Sequence, residues 1–300
     1  MIDPKLNTIL SVAETLNITK SSKLLSMTQP AVSQHIKSVE NTLGVKLFVR
    51  TNKGLKVTPQ GDIVINYARK MKGLYGVLLQ ELKDEQRSMR HLTVGVTPTA
   101  ENNMISQVLA MYSIQNPSVR ITIIVDTINN LYAKLKEYEI DFAIIEGMIS
   151  DPSYASILLD TDYLVMAAAN DNPLSKQPMV SLEKLKNERL ILRLPGSGTR
   201  TLFETSLLSK GESLDSFNII LELDNLNTIK DLVESNFGVS IISKSACLDD
   251  VRRKRFQTVP IENLSMIREI NIIYPRDFAH GNILSEIVKL YHARVNTNNK

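Results

Sequence analysis

With a single cysteine, Cys247, among 300 residues, no internal disulfide can form, and the four histidines (His35, His91, His280, His292) are too scattered to suggest a metal site. Long hydrophobic runs are missing too. An apolar stretch such as Leu164 to Ala169 falls far short of the roughly 20 residues that cross a bilayer, and Met1-Ile2-Asp3-Pro4 offers no basic region followed by an apolar one. Neither a membrane span nor an export signal is therefore expected, and a reducing cytoplasm is the expected location. Catalytic signatures are equally scarce: there is no Gly-x-Ser-x-Gly elbow, no Gly-x-x-x-x-Gly-Lys-Ser/Thr phosphate loop and no three-glycine dinucleotide fingerprint. Gly196-Ser197-Gly198 has the wrong spacing for the elbow, and Cys247 lies beside Asp249 and Asp250, which would raise its pKa and dull a nucleophile. An enzyme is not expected, and no cofactor is implied.

A hydrophobic content of 43% with 22% charged residues is that of a chain that buries real cores, and 300 residues fit two or three compact units. The net charge of +3 is unevenly spread. Residues 1 to 90 carry 14 Lys and Arg against 7 Asp and Glu, whereas residues 91 to 300 carry 21 against 25. Cationic side chains gain affinity for a phosphate backbone by releasing counterions, so a basic front end points to nucleic acid there.

Leu6, Ile9, Leu10, Ala13 and Leu16 recur at helical spacing and predict a helix over residues 4 to 16. A short helix over Lys20 to Ser26 follows, capped by Thr19, with Leu24 and Leu25 turned inward. The third is marked at both ends: Thr28 is a good N-cap, Pro30 suits a first turn, and Gly44 can end the helix after Leu43. Val32, Ile36, Val39 and Leu43 make its apolar face. The opposite face carries Gln29, Ser33, Gln34 and Lys37, donors and acceptors suited to base edges and phosphates in a major groove. Val45 to Val49 and Leu55 to Thr58 then bracket Asn52-Lys53-Gly54, which predicts a two-stranded wing decorated by Arg50, Lys53 and Lys56. Arg50 is the strongest candidate for a phosphate or minor-groove contact, since its planar fork suits oxygens there.

Thr28-Gln29-Pro30-Ala31-Val32-Ser33, then Glu40, then Leu43-Gly44-Val45-Lys46-Leu47-Phe48-Val49-Arg50, then Thr58-Pro59-Gln60-Gly61 resemble the LysR-type transcriptional regulators. Ser21 and Ser22 stand where that family usually has two alanines. The resemblance implies DNA contacts at Gln29, Pro30, Ser33, Gln34, Lys37, Arg50 and Thr58.

From Pro59 to about Arg87 nothing interrupts the chain, so a rod of about 44 Å is expected at 1.5 Å per residue. Val64, Ala68, Met71, Tyr75, Leu78 and Leu82 alternate spacings of 4 and 3, the pattern of a seam against another helix. Gly73 and Gly76 weaken an isolated helix, which argues for a partner that compensates. In the resembled family this is the dimerising linker helix.

Beyond Arg90 the pattern becomes strand, helix, strand, with strands expected at Leu92 to Val96, Val119 to Val125 and Phe142 to Ile145, and helices over residues 100 to 115 and Ile128 to Tyr138. A second such unit should run from about Tyr163 to Pro260, with strands at Tyr163 to Ala168, Leu190 to Leu194, Ile219 to Leu223 and Val239 to Ile242. A strand at Ile270 to Tyr274 and a helix near residues 282 to 294 close the chain. The expected fold is α/β: a winged helix-turn-helix (residues 1–58), a linker helix (59–89) and a two-lobed effector domain (90–300). Lobe I would cover about 90–161 and 266–300, and lobe II about 162–265.

Two lobes of this kind enclose a cleft. Thr97-Pro98-Thr99, with Ala100 next, and Pro195-Gly196-Ser197-Gly198-Thr199-Arg200 each bring hydroxyls and backbone N–H groups to a helix start, and Arg193 and Arg200 lie close by. They imply a small anionic or zwitterionic effector. The resemblance extends here and implies a periplasmic-binding-protein-like sensor, with Glu146 and Asn225 also lining the cavity. It also implies a homo-oligomer, a dimer and usually a tetramer; two-fold symmetry then predicts a partly palindromic site in double-stranded DNA. The competing classes are an enzyme with an accessory DNA-binding head and a solute-binding transport protein.

Overall fold

The computed structural model describes residues 3–52, 54–100, 104–147, 151–278 and 280–298, with Thr99 and residues 296–298 described by their backbone alone. The chain divides into two compact units, Met1–Arg90 with Lys136–Glu139, and His91–Leu135 with Ile140–Lys300.

The first unit is built from helices whose ends are fixed by their own side chains. In α1 (Pro4–Thr15) Asp3 caps the start. In α2 (Ile18–Leu24) the cap is Asn17, whose side-chain oxygen accepts from Lys20 N at 2.9 Å. This helix therefore starts two residues before the expected Lys20, because Asn17 outcompetes Thr19. Leu24, expected inside, is exposed; Ser21 and Ser22 are buried instead. Their hydroxyls are satisfied locally, Ser21 against Thr15 Oγ1 (2.6 Å) and Ser11 O, and Ser22 on Thr19 O, so hydroxyls take the place of methyls without orphaned polar atoms.

Helix α3 (Gln29–Leu43) has the expected ends, with Thr28 accepting from Ala31 N and Gly44 in the left-handed region at φ 68°. Leu43, expected on the apolar face, is exposed, and the buried position in its last turns is Glu40. The wing is narrower than expected, β1 (Phe48–Thr51) paired antiparallel with β2 (Gly54–Val57), Thr51 facing Gly54. Val45 to Leu47 stays outside the strands because Leu47 N is committed to the Glu40 carboxylate. Helix α4 (Pro59–Arg87) runs 29 residues, capped by Thr58. Ile9, Val12, Val32, Ile36, Leu47, Phe48, Ile65 and Ala68 form the core of this unit.

The second unit contains a nine-stranded sheet in the order β4-β3-β5-β11-β6-β9-β7-β8, with β10 added on β6. In chain order its elements are β3 (Arg90–Val96), α5 (Pro98–Ala100), α6 (Ser106–Gln115), β4 (Val119–Val125), α7 (Ile128–Lys136), β5 (Phe142–Glu146) and β6 (Tyr154–Ala169). Then come α8 (Leu182–Lys186), β7 (Arg189–Arg193), α9 (Gly198–Leu208), β8 (Asn218–Leu223), α10 (Leu226–Glu234), β9 (Val239–Ser243), α11 (Leu248–Arg252), β10 (Phe256–Val259), β11 (Ile267–Pro275) and α12 (Gly281–Asn298). Strand β6 is continuous over 16 residues, where only its second half was expected. Its first half pairs with β11 and its second half with β9 and β10. One strand thus belongs to both halves of the sheet. β3 with β5, β7 with β8 and β7 with β9 are parallel, whereas every pairing of β6, β10 and β11 is antiparallel. Each half carries apolar packing on both faces: Phe142, Ile144, Ile272 and Tyr291 on one side of the first and Leu131, Ala143 and Ile273 on the other. In the second half, Met166, Leu192 and Phe203 lie on one side and Ala167, Ile191 and Ile229 on the other. Among the described residues no helix is long and apolar enough to cross a membrane.

Candidate nucleic-acid interface and interlobe cleft

On α3 the buried stripe turns the polar stripe outward. Gln29, Pro30, Gln34 and Lys37 are exposed and Ser33 is half-buried. The wing stands beside this helix through Glu40, whose Oε1 accepts from Leu47 N at 2.9 Å and whose Oε2 accepts from Lys46 Nζ at 2.7 Å. Arg50 and Lys56 are exposed on the wing, and Lys53 lies outside the described residues. Thr58 is placed differently from the other six described members of the expected DNA set. It is buried, its hydroxyl donates to Lys46 O and accepts from Gly61 N, and it fixes where α4 leaves the wing.

Along α4, Val64 is half-buried and Ala68 buried in the head core, and Tyr75 is half-buried, so the expected seam is displaced at its start and again at Tyr75. The exposed apolar stripe consists of Ile63, Tyr67, Met71, Leu74, Leu78 and Leu82, each with 49% to 60% of its surface open. Spacings of 4, 4, 3, 4 and 4 keep it on one side of the helix.

In the second unit the loops at the ends of the parallel strands converge. A Cβ built on Gly198, at the start of α9, would stand 3.9 Å from Ile128 Cδ1 at the start of α7, so a loop of one half of the sheet abuts a helix of the other. Thr97 is buried and its hydroxyl donates to Glu146 Oε2 at 2.6 Å; Glu146 is itself buried at the end of β5. Ala100 is buried and the side chain of Thr99 lies outside the described residues. In the other half of the sheet Ser197 caps α9 by accepting from Arg200 N at 3.2 Å, Gly196 sits at φ 86°, and Thr199 is buried in the first turn. Asn225 caps α10, accepting from Thr228 N at 3.1 Å.

The two arginines are placed differently. Arg200 turns into its own half of the sheet, pairing with Glu204 at 2.6 Å and Glu222 at 2.8 Å and reaching the carbonyl of Arg193, so it braces α9 rather than facing a ligand. Arg193 is buried and holds Asp224 at 2.8 Å through Nη2, and its Nε has no partner among the described residues.

The sequence reading did not include Arg268, Asp162 and Ser243. Arg268 Nη1 donates to Thr199 Oγ1 at 3.4 Å and Nη2 to Asp162 Oδ2 at 3.3 Å, while Asp162 also accepts from the hydroxyls of Ser243 and Ser245 and from Ser245 N. All but Ser245 are buried. The one signal that could have found them is a charged residue at the edge of an apolar strand: Asp162 precedes Leu164 to Ala169, and Arg268 precedes Ile270 to Ile273. Cys247 is fully buried and its thiol is pushed up to about 12, by burial first, with Lys230 opposing and Asp250 and Asp162 adding. Asp249, expected to contribute, is not among the causes. Among the described residues no group of three or more His, Cys, Asp or Glu could hold a metal.

A helix-turn-helix with a wing, followed by a long helix and a two-part α/β sheet, is the architecture of a class of DNA-binding regulators that carry a sensor. Comparison with known proteins agrees. Residues 5–62 match the bacterial regulatory helix-turn-helix proteins of the lysR family, and residues 85–295 match the LysR substrate binding domain. The chain is 25% identical to the HTH-type transcriptional regulator MJ0300 of Methanocaldococcus jannaschii, covering 92% of this chain and 94% of that one. It is 26% identical to the HTH-type transcriptional regulator CysL of Bacillus subtilis, over 90% and 89% of the two chains. The fold is that of the LysR-family regulator CbnR bound to its target DNA, with a TM-score of 0.68 at 18% identity, covering 98% and 99%. The chain belongs to the LysR family and is a DNA-binding transcriptional regulator with an effector-binding domain.

Proposed function

We propose that this regulator reads a partly palindromic promoter as a homodimer or tetramer in the cytoplasm, under the control of a small anionic or zwitterionic effector held between the two halves of its sensor sheet. The observation that carries the DNA half is the exposed polar face of α3, opposite its buried stripe. Gln29, Pro30, Ser33, Gln34 and Lys37 address the major groove, and Arg50 with Lys53 addresses the flanking backbone. Thr58 acts through the position of the wing. That the related fold of CbnR has been seen with its target DNA supports this reading. Residues 1–58, 59–89 and 90–300 serve as head, linker and sensor, with the change between lobe I (90–161, 266–300) and lobe II (162–265) falling within β6. The exposed stripe on α4 supports pairing of two linkers. Thr97, Thr99, Ala100, Glu146, Arg193, Gly196, Ser197, Gly198, Thr199 and Asn225 form the effector cleft.

Closing the cleft on an effector changes how sensor domains pack in the oligomer, and the linkers convert that into a changed spacing of the heads. The test is a gel shift on the promoter region upstream of the protein's own gene. Gln34→Ala with Arg50→Ala should abolish specific binding in a protein whose circular dichroism is unchanged. Promoter affinity left intact by the pair would sink the reading.

A further inference from the structure

The polarity of the effector can be drawn from the cleft proposed above, on which this inference rests. Glu146 faces Ile270 across the β5–β11 pairing, and Arg268 faces Asp162 across the β6–β11 pairing. Positions 268 and 270 of one strand lie on the same face, so Glu146 and Arg268 are diagonal neighbours with Cα atoms about 7 to 8 Å apart. Each is only 8% exposed.

Each also has an atom left over. Glu146 Oε2 is engaged by the Thr97 hydroxyl, yet Oε1 is buried with no partner among the described residues. Arg268 makes two long contacts, 3.4 Å to Thr199 and 3.3 Å to Asp162, and its Nε is buried with no partner among the described residues. Asp162 is shared with two serine hydroxyls and a backbone N–H, so it meets the guanidinium only in part. Thr199 stands in the first turn of the eleven-residue α9, where the helix dipole adds positive potential. A buried acceptor and a buried donor, each unsatisfied, are costly to hold side by side in one cleft.

We propose that the effector is a small zwitterion: its ammonium donates to Glu146 beside Thr97, and its carboxylate accepts from Arg268 and Thr199 at the start of α9. A simple anion would meet Arg268 but press its charge against Glu146; a simple cation would do the reverse. A molecule with both charges a few bonds apart satisfies the two atoms together.

The experiment is thermal unfolding of the full-length protein with three matched probe sets: the standard amino acids with β-alanine and γ-aminobutyrate, the same molecules without the amino group, and the same without the carboxylate. At least one amino acid should raise Tm where neither of its truncated counterparts does, because a ligand of the folded state must stabilise it. Calorimetric titration of Glu146→Gln and Arg268→Gln with that amino acid should show affinity reduced about tenfold or more, as expected for losing a charged hydrogen bond. Unchanged circular dichroism in these variants shows that the fold survives. A carboxylic acid that stabilises as well as its amino acid, with affinity indifferent to Glu146→Gln, overturns the polarity while leaving an effector cleft in place. Stabilisation by none of the three sets also overturns it, whereas DNA recognition is judged separately by the Gln34 and Arg50 variants.

Discussion

Glu40 joins α3 to the wing, and its ionisation is where residue chemistry bears on the stability of the head. Burial alone would push its carboxyl up, but hydrogen bonds from Lys46 and from the backbone N–H groups of Leu47 and Phe48 outweigh burial and hold it below the usual carboxylate range. A folded-state pKa below the unfolded one gives stability that is present above the unfolded value, about 4.3, and is lost as pH falls through the folded value. Glu40→Gln should therefore flatten the acid limb of the head's denaturation curve below about pH 4. Glu40→Ala strands the buried Leu47 N–H and should cost about 1 to 3 kcal/mol at neutral pH in urea titrations. Gly61 is constrained from another side: a Cβ there would run into the Leu47 carbonyl oxygen, so Gly61→Ala must displace the first turn of α4. Cys247 gives a simpler prediction. With its thiol fully buried and pushed up to about 12, iodoacetamide at pH 8 should leave it unmodified in the native protein and label it in urea; rapid native labelling would contradict the burial. At this scale the sequence is least informative, since Asp162 and Arg268 are ordinary charged letters until the fold supplies their partners.

Elements with two marked ends were legible to the residue. Thr28 and Gly44 bound α3, and Thr58-Pro59 opens α4, because caps are local chemistry that tertiary packing rarely overrides. The first half of β6 was not legible. Asp160 and Asp162 break its apolar pattern, and each draws on distant partners, Tyr291 for Asp160 and Arg268 with Ser243 for Asp162. The wing strands shifted for a similar reason, the claim of Glu40 on Leu47. On α4 the periodicity was visible but the phase was not: Val64 and Ala68 pack into the head, and the open stripe begins one residue earlier, at Ile63. An exposed stripe of six large apolar side chains on one helix exceeds what a monomer normally leaves in water. Met71→Asp with Leu78→Asp should therefore lower the mass measured by light scattering to that of one chain of 33.7 kDa and weaken promoter binding in parallel. A double variant that keeps the mass of the parent protein would show that the stripe is covered by something other than a second linker.

Charge is distributed over the whole chain so that one end differs from the rest, and this makes salt an informative probe. The first 90 residues carry 14 cationic against 7 anionic side chains, the remainder 21 against 25, so phosphate contacts should be concentrated in the head. Each contact that neutralises a phosphate adds about 0.9 to the magnitude of the slope of log affinity against log salt on duplex DNA. Contacts to base edges add affinity for one sequence without adding to that slope. Arg50 and Gln34, exposed on the wing and on α3, should thus separate. Arg50→Ala should reduce the slope by about 1 and weaken binding to promoter and random DNA alike. Gln34→Ala should leave the slope unchanged and lower the preference for the promoter by about 1 to 3 kcal/mol, or roughly 5- to 150-fold. Fluorescence anisotropy between 50 and 200 mM salt on the two duplexes measures all four quantities. If both variants altered the slope equally and neither altered the preference, α3 would be reading phosphates alone, and sequence recognition would have to be sought elsewhere in the head.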